Sequence, residues 1–340
     1  MTEARERMRV VDVAESRAPR SGEVLVRPEI VGLCGSDFHY FLGDVGAVEE
    51  SKRFPRIQGH EASGIIEEVG PDCPPHVRAG ERVALFPHTS CGQCYPCTIG
   101  RSNACIKLTL IGIHRDGALQ ERLVLPAEQA FPVGEQDAVS AAVVEPMSIA
   151  VRAVARGRVA AGEKAVVFGA GPIGIAVAVA ALDRGASVLL IDPIESRLER
   201  ARAAGATAVE PGADPVTAAL EWAGGDGPEV VFEATGVPSI AQTAVDLVAQ
   251  AGRVVIVGLG TEGAPLTTGS LAFKEIDMLG TSTCSADDFA EAIELVSRRR
   301  DALEGFVTHE FSLEEAPEAI VYAMRHPAVV MKAVIRLDVK

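Results

Sequence analysis

The chain is predicted to be an α/β protein with a β-rich unit and a second unit built on a doubly wound parallel sheet. Three observations carry that prediction. Residues 1–150 hold short apolar strand patterns punctuated by Gly and Pro, with no helical period of any length before Ala138–Val154. From Lys164 onward strand patterns alternate with helical ones, the texture of βαβ units and a parallel sheet. A glycine-rich turn, Gly169-Ala-Gly171-Pro172-Ile173-Gly174, stands at the first strand-to-helix junction of that alternation.

In order along the chain, Glu23–Val31, Ala62–Val69 and Arg82–Phe86 read as strands, and Ala138–Val154 as the first helix. Lys164–Phe168 is a buried strand, followed by an alanine-rich helix after Gly174, a strand at Ser187–Ile191 and a helix at Glu195–Ala204. A strand at Glu229–Phe232, a helix at Pro238–Ala249 and a strand at Arg253–Val257 continue the alternation to about Ser285. The tail from Asp287 offers a helix, an extended Phe306–Leu313, another helix and a final strand, Val329–Leu337. A last strand that returns to the first unit makes the second an insertion, with 1–150 plus 287–340 as one domain and 151–286 as the other.

Bulk properties narrow the function. A chain of 340 residues, 48% hydrophobic and 23% charged, has an ordinary globular composition and room for two cores. A net charge of −15 argues against nucleic acid as a partner, which favours a basic face. The run Arg298–Arg300 reads as a helix C-terminus on a solvated face. The longest apolar run, Pro172–Leu182, is shorter than the roughly 20 residues a bilayer span needs. The charged start, Met1-Thr-Glu-Ala-Arg-Glu-Arg7, lacks the apolar core of a signal peptide. A cytoplasmic protein acting on a small molecule is the expectation, with no membrane partner.

Four of the seven cysteines fall inside fifteen residues, as Cys91-Gly-Gln-Cys94-Tyr-Pro-Cys97 and then Cys105. Four thiolates at that spacing can close a tetrahedral shell around one structural Zn2+. Two disulfides are the alternative, and a reducing compartment disfavours them.

The glycine-rich turn follows a strand and opens a helix, the context in which such a turn cradles a pyrophosphate against a helix N-terminus. Asp192 ends the next strand, where a carboxylate accepts from a ribose 2′-OH and repels a 2′-phosphate, so NAD is favoured over NADP. Asp192 also suits a helix cap, and Arg197 nearby can bond the adenosine end or admit NADP.

A second metal site is suggested by three separate segments: Cys34-Gly-Ser36-Asp37-Phe-His39, Gly59-His60-Glu61 and Glu145-Pro146. A thiolate, an imidazole and a carboxylate with one position left open is the catalytic zinc pattern. Singly, each residue has an ordinary reading as core cysteine, surface histidine or helix cap. Beside a nucleotide turn and a four-cysteine cluster, they read as ligands.

With these motifs in view, the chain resembles the zinc-dependent medium-chain dehydrogenases, in the branch holding sorbitol, xylitol and threonine dehydrogenases. The resemblance rests on the Cys34-Gly-Ser-Asp turn, Gly59-His-Glu-Ala-Ser-Gly64, the cysteine lobe, Glu145-Pro-Met-Ser148, the glycine turn and Val257-Gly258-Leu259. Cys91–Cys105 and the following Leu110–Gly117 are most similar to bacterial sugar-acid 5-dehydrogenases of the L-galactonate and L-idonate type. The resemblance implies a GroES-like β-rich catalytic domain, a Rossmann domain inserted in it, and an active site in the cleft between them. It implies two zinc ions per chain, the catalytic one held by Cys34, His60 and either Glu61 or Glu145. It implies that Asp37 bonds the far nitrogen of His60, that Ser36 and His39 relay a proton, and that Val257–Leu259 touch the cofactor. Homodimers or homotetramers follow from the same likeness.

The expected activity is transfer of a hydride from a secondary hydroxyl of a polyol, cyclitol or sugar derivative to NAD. Sugar-acid or amino-acid oxidation is the alternative within the class, and a non-catalytic NAD-binding sensor the alternative outside it. Where relatives tend to carry an arginine, this chain has Thr281-Ser282-Thr283, which weakens a carboxylate substrate. Arg152 and Arg122 are possible substitutes, and Tyr40, His88 and His114 are candidate pocket residues.

Overall fold

The computed structural model describes residues 1–44, 54–209, 213–260 and 262–337. They form two compact units, Met1–Glu145 with Val307–Lys340, and Pro146–Phe306. After a short antiparallel pair, Thr2–Ala4 with Arg7–Met8, the first unit continues with β1 (Glu23–Gly32) and α1 (Gly35–Leu42), then β2 (Glu61–Val69), β3 (Arg82–Leu85), β4 (Leu123–Pro126) and β5 (Ala130–Pro132). Helix α1 is one of the elements that pattern reading missed, because its eight residues begin Gly-Ser-Asp and read as a turn.

Helix α2 (Ala138–Arg156) crosses the boundary between the units and carries Pro146 inside it. Among the described residues it is the helix whose length and composition suit a membrane span, and 72% of that window is buried in the protein. Glu145 and Arg152 interrupt its apolar run, which is why the run did not stand out in the sequence.

The second unit continues with β6 (Lys164–Phe168), α3 (Pro172–Asp183), β7 (Ser187–Ile191), α4 (Glu195–Ala203), β8 (Thr207–Ala208), α5 (Pro215–Ala223), β9 (Val230–Glu233), α6 (Pro238–Leu247), β10 (Arg253–Ile256), α7 (Thr268–Lys274), β11 (Asp277–Gly280) and α8 (Ala286–Arg298). Its six parallel strands run β8-β7-β6-β9-β10-β11, the order that reverses direction between β6 and β9. Val166, Phe168, Leu189, Val231, Val245, Leu247 and Val254 form its core.

The compact units divide the chain at other points than the expected 286/287. Helix α8 belongs to the second unit, tied to it by Arg184–Glu291 at 3.0 Å and Arg298–Asp183 at 2.9 Å, so this unit extends to Phe306. Likewise the first boundary lies after Glu145, within α2, rather than at 150.

The chain then returns to the first unit as β12 (Val307–Ser312), α9 (Ala316–Arg325) and β13 (Lys332–Arg336). Its main sheet runs β12-β13-β1-β2-β3-β5, with β4 also on β1. Only β12–β13 is parallel; the rest is antiparallel, as hairpin-rich chains prefer. In this register Gly32 faces Glu61 on β2 and Val334 on β13. Val24, Val26, Ile66, Leu85, Leu125, Ile320 and Ile335 are buried in one core beneath it.

Candidate active site

The first ligand set grows from the ends of β1 and β2. Cys34 leaves β1 in an extended conformation and is the N-cap of α1. The Cys34 N–H donates to Asp37 Oδ2 at 3.0 Å, so the carboxylate closes the helix start around the thiol. His60 immediately precedes β2 and Glu61 begins it. One donor atom from each of Cys34, His60 and Glu61 lies within 4.8 Å of the others, with His60 and Glu61 buried.

Ser36 Oγ lies 3.3 Å from His60 Nε2, so the hydroxyl and the imidazole face share one corner. Asp37 Oδ2 stands 3.7 Å from His60 Nδ1, an ion-pair distance and too long for the expected hydrogen bond. Its oxygens are committed to the Cys34 N–H and to Gln58 Nε2 at 3.2 Å, so Asp37 orders the thiol loop first and the imidazole second.

Electrostatics fit a cation here. Burial pushes the Asp37 carboxyl up, against the pull of His60. Burial pushes Glu145 up to about 7, with Glu61 adding to it and His60 opposing. Burial lowers His60, yet Asp37, Cys34 and Glu145 outweigh it and hold the imidazole well above its ordinary value. A half-buried sulfur beside a buried imidazole and buried carboxylates is a donor set suited to Zn2+. Glu145 is 6% exposed and feels these charges, but lies outside the set of donors that converge within 4.8 Å.

Sequence reasoning missed Lys332. Its Nζ donates to both oxygens of Glu61, at 2.8 and 2.7 Å, and to the Leu33 carbonyl at 3.1 Å. Both partners are buried. Burial works against the ammonium, and Glu61 and Cys34 restore it, leaving its pKa raised. Nothing in Val329-Val-Met-Lys332-Ala-Val-Ile marks this lysine, and Glu61 lies 271 residues away.

Other candidates separate. His39 Nδ1 is buried and finds no hydrogen-bond partner among the described residues. Arg122 is bound to Glu67 at 2.6 Å on the surface, and Arg152 faces Asp288 at 3.7 Å. Tyr40 is fully buried and packs edge-on against Phe54. His114 Nδ1 accepts from the Leu110 N–H at 3.1 Å, and His88 lies against the Phe86 ring.

In the cysteine lobe the sulfurs converge: Cys94–Cys97 at 3.4 Å, Cys91–Cys105 at 3.5 Å and Cys94–Cys105 at 3.7 Å. Thiolates bound to zinc at about 2.3 Å stand about 3.8 Å apart in a tetrahedron, so these separations suit a metal and not a disulfide. The Cys97 and Ile106 N–H groups hold Cys94 down at about 6. Burial and the neighbouring Cys94 and Cys105 push Cys97 up to about 11. Four thiols this close cannot all ionise without a counter-charge, which is what Zn2+ supplies.

In the second unit, Gly169 follows β6 with φ 93°, a conformation that favours glycine. A Cβ on Gly174 would lie 1.7 Å from the Gly169 carbonyl oxygen, so helix α3 can approach the turn only without one. Gly171, the N-cap of α3, meets no atom within 4 Å of its would-be Cβ. Pro172 and Ile173 start the helix beside this open cradle, where first-turn N–H groups await an anion.

Asp192 Oδ2 accepts from the Ala170 N–H at 2.8 Å and Oδ1 from the Ile194 N–H at 2.9 Å, with Arg197 at 3.4 Å. It therefore anchors the glycine turn and the approach to α4, and a carboxylate has lone pairs left for a ribose hydroxyl. The Val257 and Gly258 N–H groups bond the Glu233 carbonyl, and Leu259 is 78% exposed. The buried Glu233 carboxylate, also unnoticed in the sequence, accepts from Thr235 and Gly236 N–H at 2.7 and 2.9 Å and fixes the adjoining loop.

Comparisons agree with this geometry. The family model for the alcohol dehydrogenase GroES-like domain matches residues 20–135, and that for zinc-binding dehydrogenase matches residues 172–298. The chain is 34% identical to 2-dehydro-3-deoxy-L-galactonate 5-dehydrogenase of Pseudoalteromonas atlantica over 94% of this chain and 93% of that protein. It is 32% identical to D-xylulose reductase of Saccharomyces cerevisiae over 92% and 90%. Among solved structures it is similar to the alcohol dehydrogenase RspB of Escherichia coli CFT073 complexed with NADH, with a TM-score of 0.89, 30% identity and coverage of 99% and 98%. The chain belongs to the zinc-dependent medium-chain dehydrogenases of the alcohol dehydrogenase superfamily.

Proposed function

We propose that this dehydrogenase oxidises a secondary hydroxyl of a polyol, cyclitol or sugar derivative with NAD as acceptor, and runs the reverse reduction. The observation that carries the reading is the convergence of half-buried Cys34 with buried His60 and Glu61, and the Ser36 hydroxyl at 3.3 Å from His60. Cys34 and His60, with Glu61 or Glu145, would hold the catalytic zinc, and Cys91, Cys94, Cys97 and Cys105 the structural one. Gly169, Gly171 and the start of α3 would bind the pyrophosphate. Asp192 and Arg197 would hold the adenosine end, and Val257–Leu259 the rest of the dinucleotide.

Bound zinc supplies the Lewis acidity that lets a substrate hydroxyl ionise near neutrality, and bound NAD takes the hydride. Ser36 would accept the hydroxyl proton, and His39, whose buried Nδ1 has no other partner among the described residues, would pass it outward. Asp37 keeps the thiol loop ordered during this transfer. One proton and one hydride leave the carbinol, and a ketone remains.

A neutral substrate is favoured over a sugar acid because Arg122 and Arg152, the substitutes for the missing arginine, both face carboxylates of this chain. Turnover of polyols compared with their aldonates tests that choice. The edge strand β11 and the 92% exposed Phe273 of α7 support a homodimer formed by pairing these edges, which light scattering measures. The four reduced thiols support a cytoplasmic setting.

The decisive variant is Cys34→Ala. It is expected to abolish NAD reduction while leaving NADH binding, the second zinc and the far-UV spectrum intact. Wild-type turnover in that variant would sink the proposal.

A further inference from the structure

We infer that Thr2 and Gln58 are positioning residues for the catalytic metal site, forming a one-way hydrogen-bond chain that fixes the Asp37 carboxylate behind Cys34 and His60. The inference rests on the zinc reading above and adds to it two residues outside any ligand set. Thr2 and Asp37 are fully buried, and Gln58 is 1% exposed. Gln58 Nε2 donates to the Asp37 carbonyl at 2.9 Å and to Asp37 Oδ1 at 3.2 Å. A carbonyl cannot donate, so the amide can sit only this way round. Its Oε1 then faces the Thr2 hydroxyl, which donates to it at 2.5 Å. No member can reverse without leaving a buried polar atom unpaired.

The chain is anchored at its outer end. The Thr2 N–H donates to the Arg56 carbonyl at 2.8 Å and the Arg56 N–H to the Thr2 carbonyl at 2.9 Å, so the backbone holds the hydroxyl against Gln58. The turn that follows ties in α1 as well, with the Glu6 N–H on the Phe41 carbonyl at 2.7 Å. The short pair Thr2–Ala4 and Arg7–Met8 thus braces both segments that carry ligands, α1 behind Cys34 and the run into His60. At the inner end, Asp37 Oδ2 holds the Cys34 N–H at 3.0 Å and stands 3.7 Å from His60 Nδ1. That ring nitrogen has no hydrogen-bond partner among the described residues, so on that side the Asp37 carboxylate orients the ring. With Oδ1 gripped by the amide, Oδ2 has one position. Without the amide the carboxylate turns about its last bond, and the thiol loop and the imidazole lose their common reference.

Thr2→Val keeps the shape of the side chain and removes the donor that Gln58 Oε1 uses. Loss of a group that orients metal ligands costs about 10–100-fold in metal affinity or activity. Thr2 acts through two other residues, so Thr2→Val is expected to speed chelator extraction of the catalytic zinc about tenfold, the lower end of that range. It should lower kcat by about as much and leave KM for NAD unchanged. Gln58→Met, which removes the amide itself, should speed extraction about 100-fold, the upper end. Thr2→Ser keeps the hydroxyl and should track wild type in extraction rate. The lobe zinc is the internal control. It lies in the same unit, away from the hydrogen-bond chain, and should leave at the wild-type rate from every variant. The phase of extraction that Cys34→Ala lacks identifies the catalytic zinc.

A general loss of packing in this unit would loosen both metals together. Equal acceleration of the two zincs therefore overturns the inference, and so does wild-type extraction of the catalytic zinc from Thr2→Val. If either variant does not fold, the other decides by the same two rates: selective loss of the catalytic zinc supports the inference, and equal or unchanged rates overturn it. Wild type holding only the lobe zinc would instead overturn the zinc reading itself, and this inference with it.

Discussion

Replacing Gly171 by alanine should damage cofactor binding without damaging the fold. Gly171 has φ −72° and ψ −175°, which alanine adopts freely, and no atom lies within 4 Å of the added methyl. At such a position Gly→Ala changes stability by about 0.4–1 kcal/mol. In a unit of this size that moves Tm by less than about 4 °C. The methyl projects into the open cradle at the start of α3, where a pyrophosphate must approach the backbone closely. Losing one charge-assisted hydrogen bond there costs about 1.5–3 kcal/mol, a rise of roughly 10- to 150-fold in Kd.

NADH fluorescence titration measures the affinity, and thermal unfolding of the same samples measures the fold. Gly174→Ala is the contrasting control. Its methyl would lie 1.7 Å from the Gly169 oxygen, so it should lower Tm whether or not nucleotide is present. A Gly171→Ala protein that binds NADH as wild type does would refute the placement of the pyrophosphate.

Two further outcomes are expected. Cys97→Ser should lower the zinc content from two to one per chain, read by metal analysis. An unchanged zinc count in Cys97→Ser would remove the lobe as a metal site. Glu23 is held at about 2 by the Arg17 guanidinium and the Arg20 N–H, below its ordinary 4.5. A depressed carboxylate stabilises the fold above its unfolded value, and that contribution is lost as pH falls from 4.5 toward 2. The Tm gap between wild type and Glu23→Gln should therefore shrink between pH 5 and about pH 3, and a constant gap would argue against the pair.

Much of the nucleotide unit was legible because its signals are local. A buried strand, three glycines and the next strand's terminal aspartate lie within 30 residues, and each position has one physical reason to be what it is. The cysteine lobe was legible for the same reason. Helix α1 was not, since Gly35, Ser36 and Asp37 are turn formers that become helical only with Asp37 capping Cys34. Edge strand β11 was read only as a substrate segment, because Asp277-Met-Leu-Gly280 is too short to show a period. Lys332 and Glu233 were hidden more deeply. A lysine in a strand reads as solvent-facing, and only the pairing of β13 with β1 carries it to Glu61. Helix α8 was assigned to the tail because ion pairs with Asp183 and Arg184 leave no mark in a pattern of apolar residues.

The return of β12 and β13 to the first sheet sets an order for synthesis. Domains emerging from the ribosome fold as units, the earlier before the later. The second unit is complete once residue 306 has been made, whereas β1 must wait for β13, and Glu61 for its lysine, until the last strand is translated. Pairings across so long an intervening chain form slowly. The newborn protein thus passes through a stage in which its nucleotide-type unit is folded and Cys34, His60 and Glu61 are not yet locked, and the catalytic metal is fixed in its final environment only after that stage has ended.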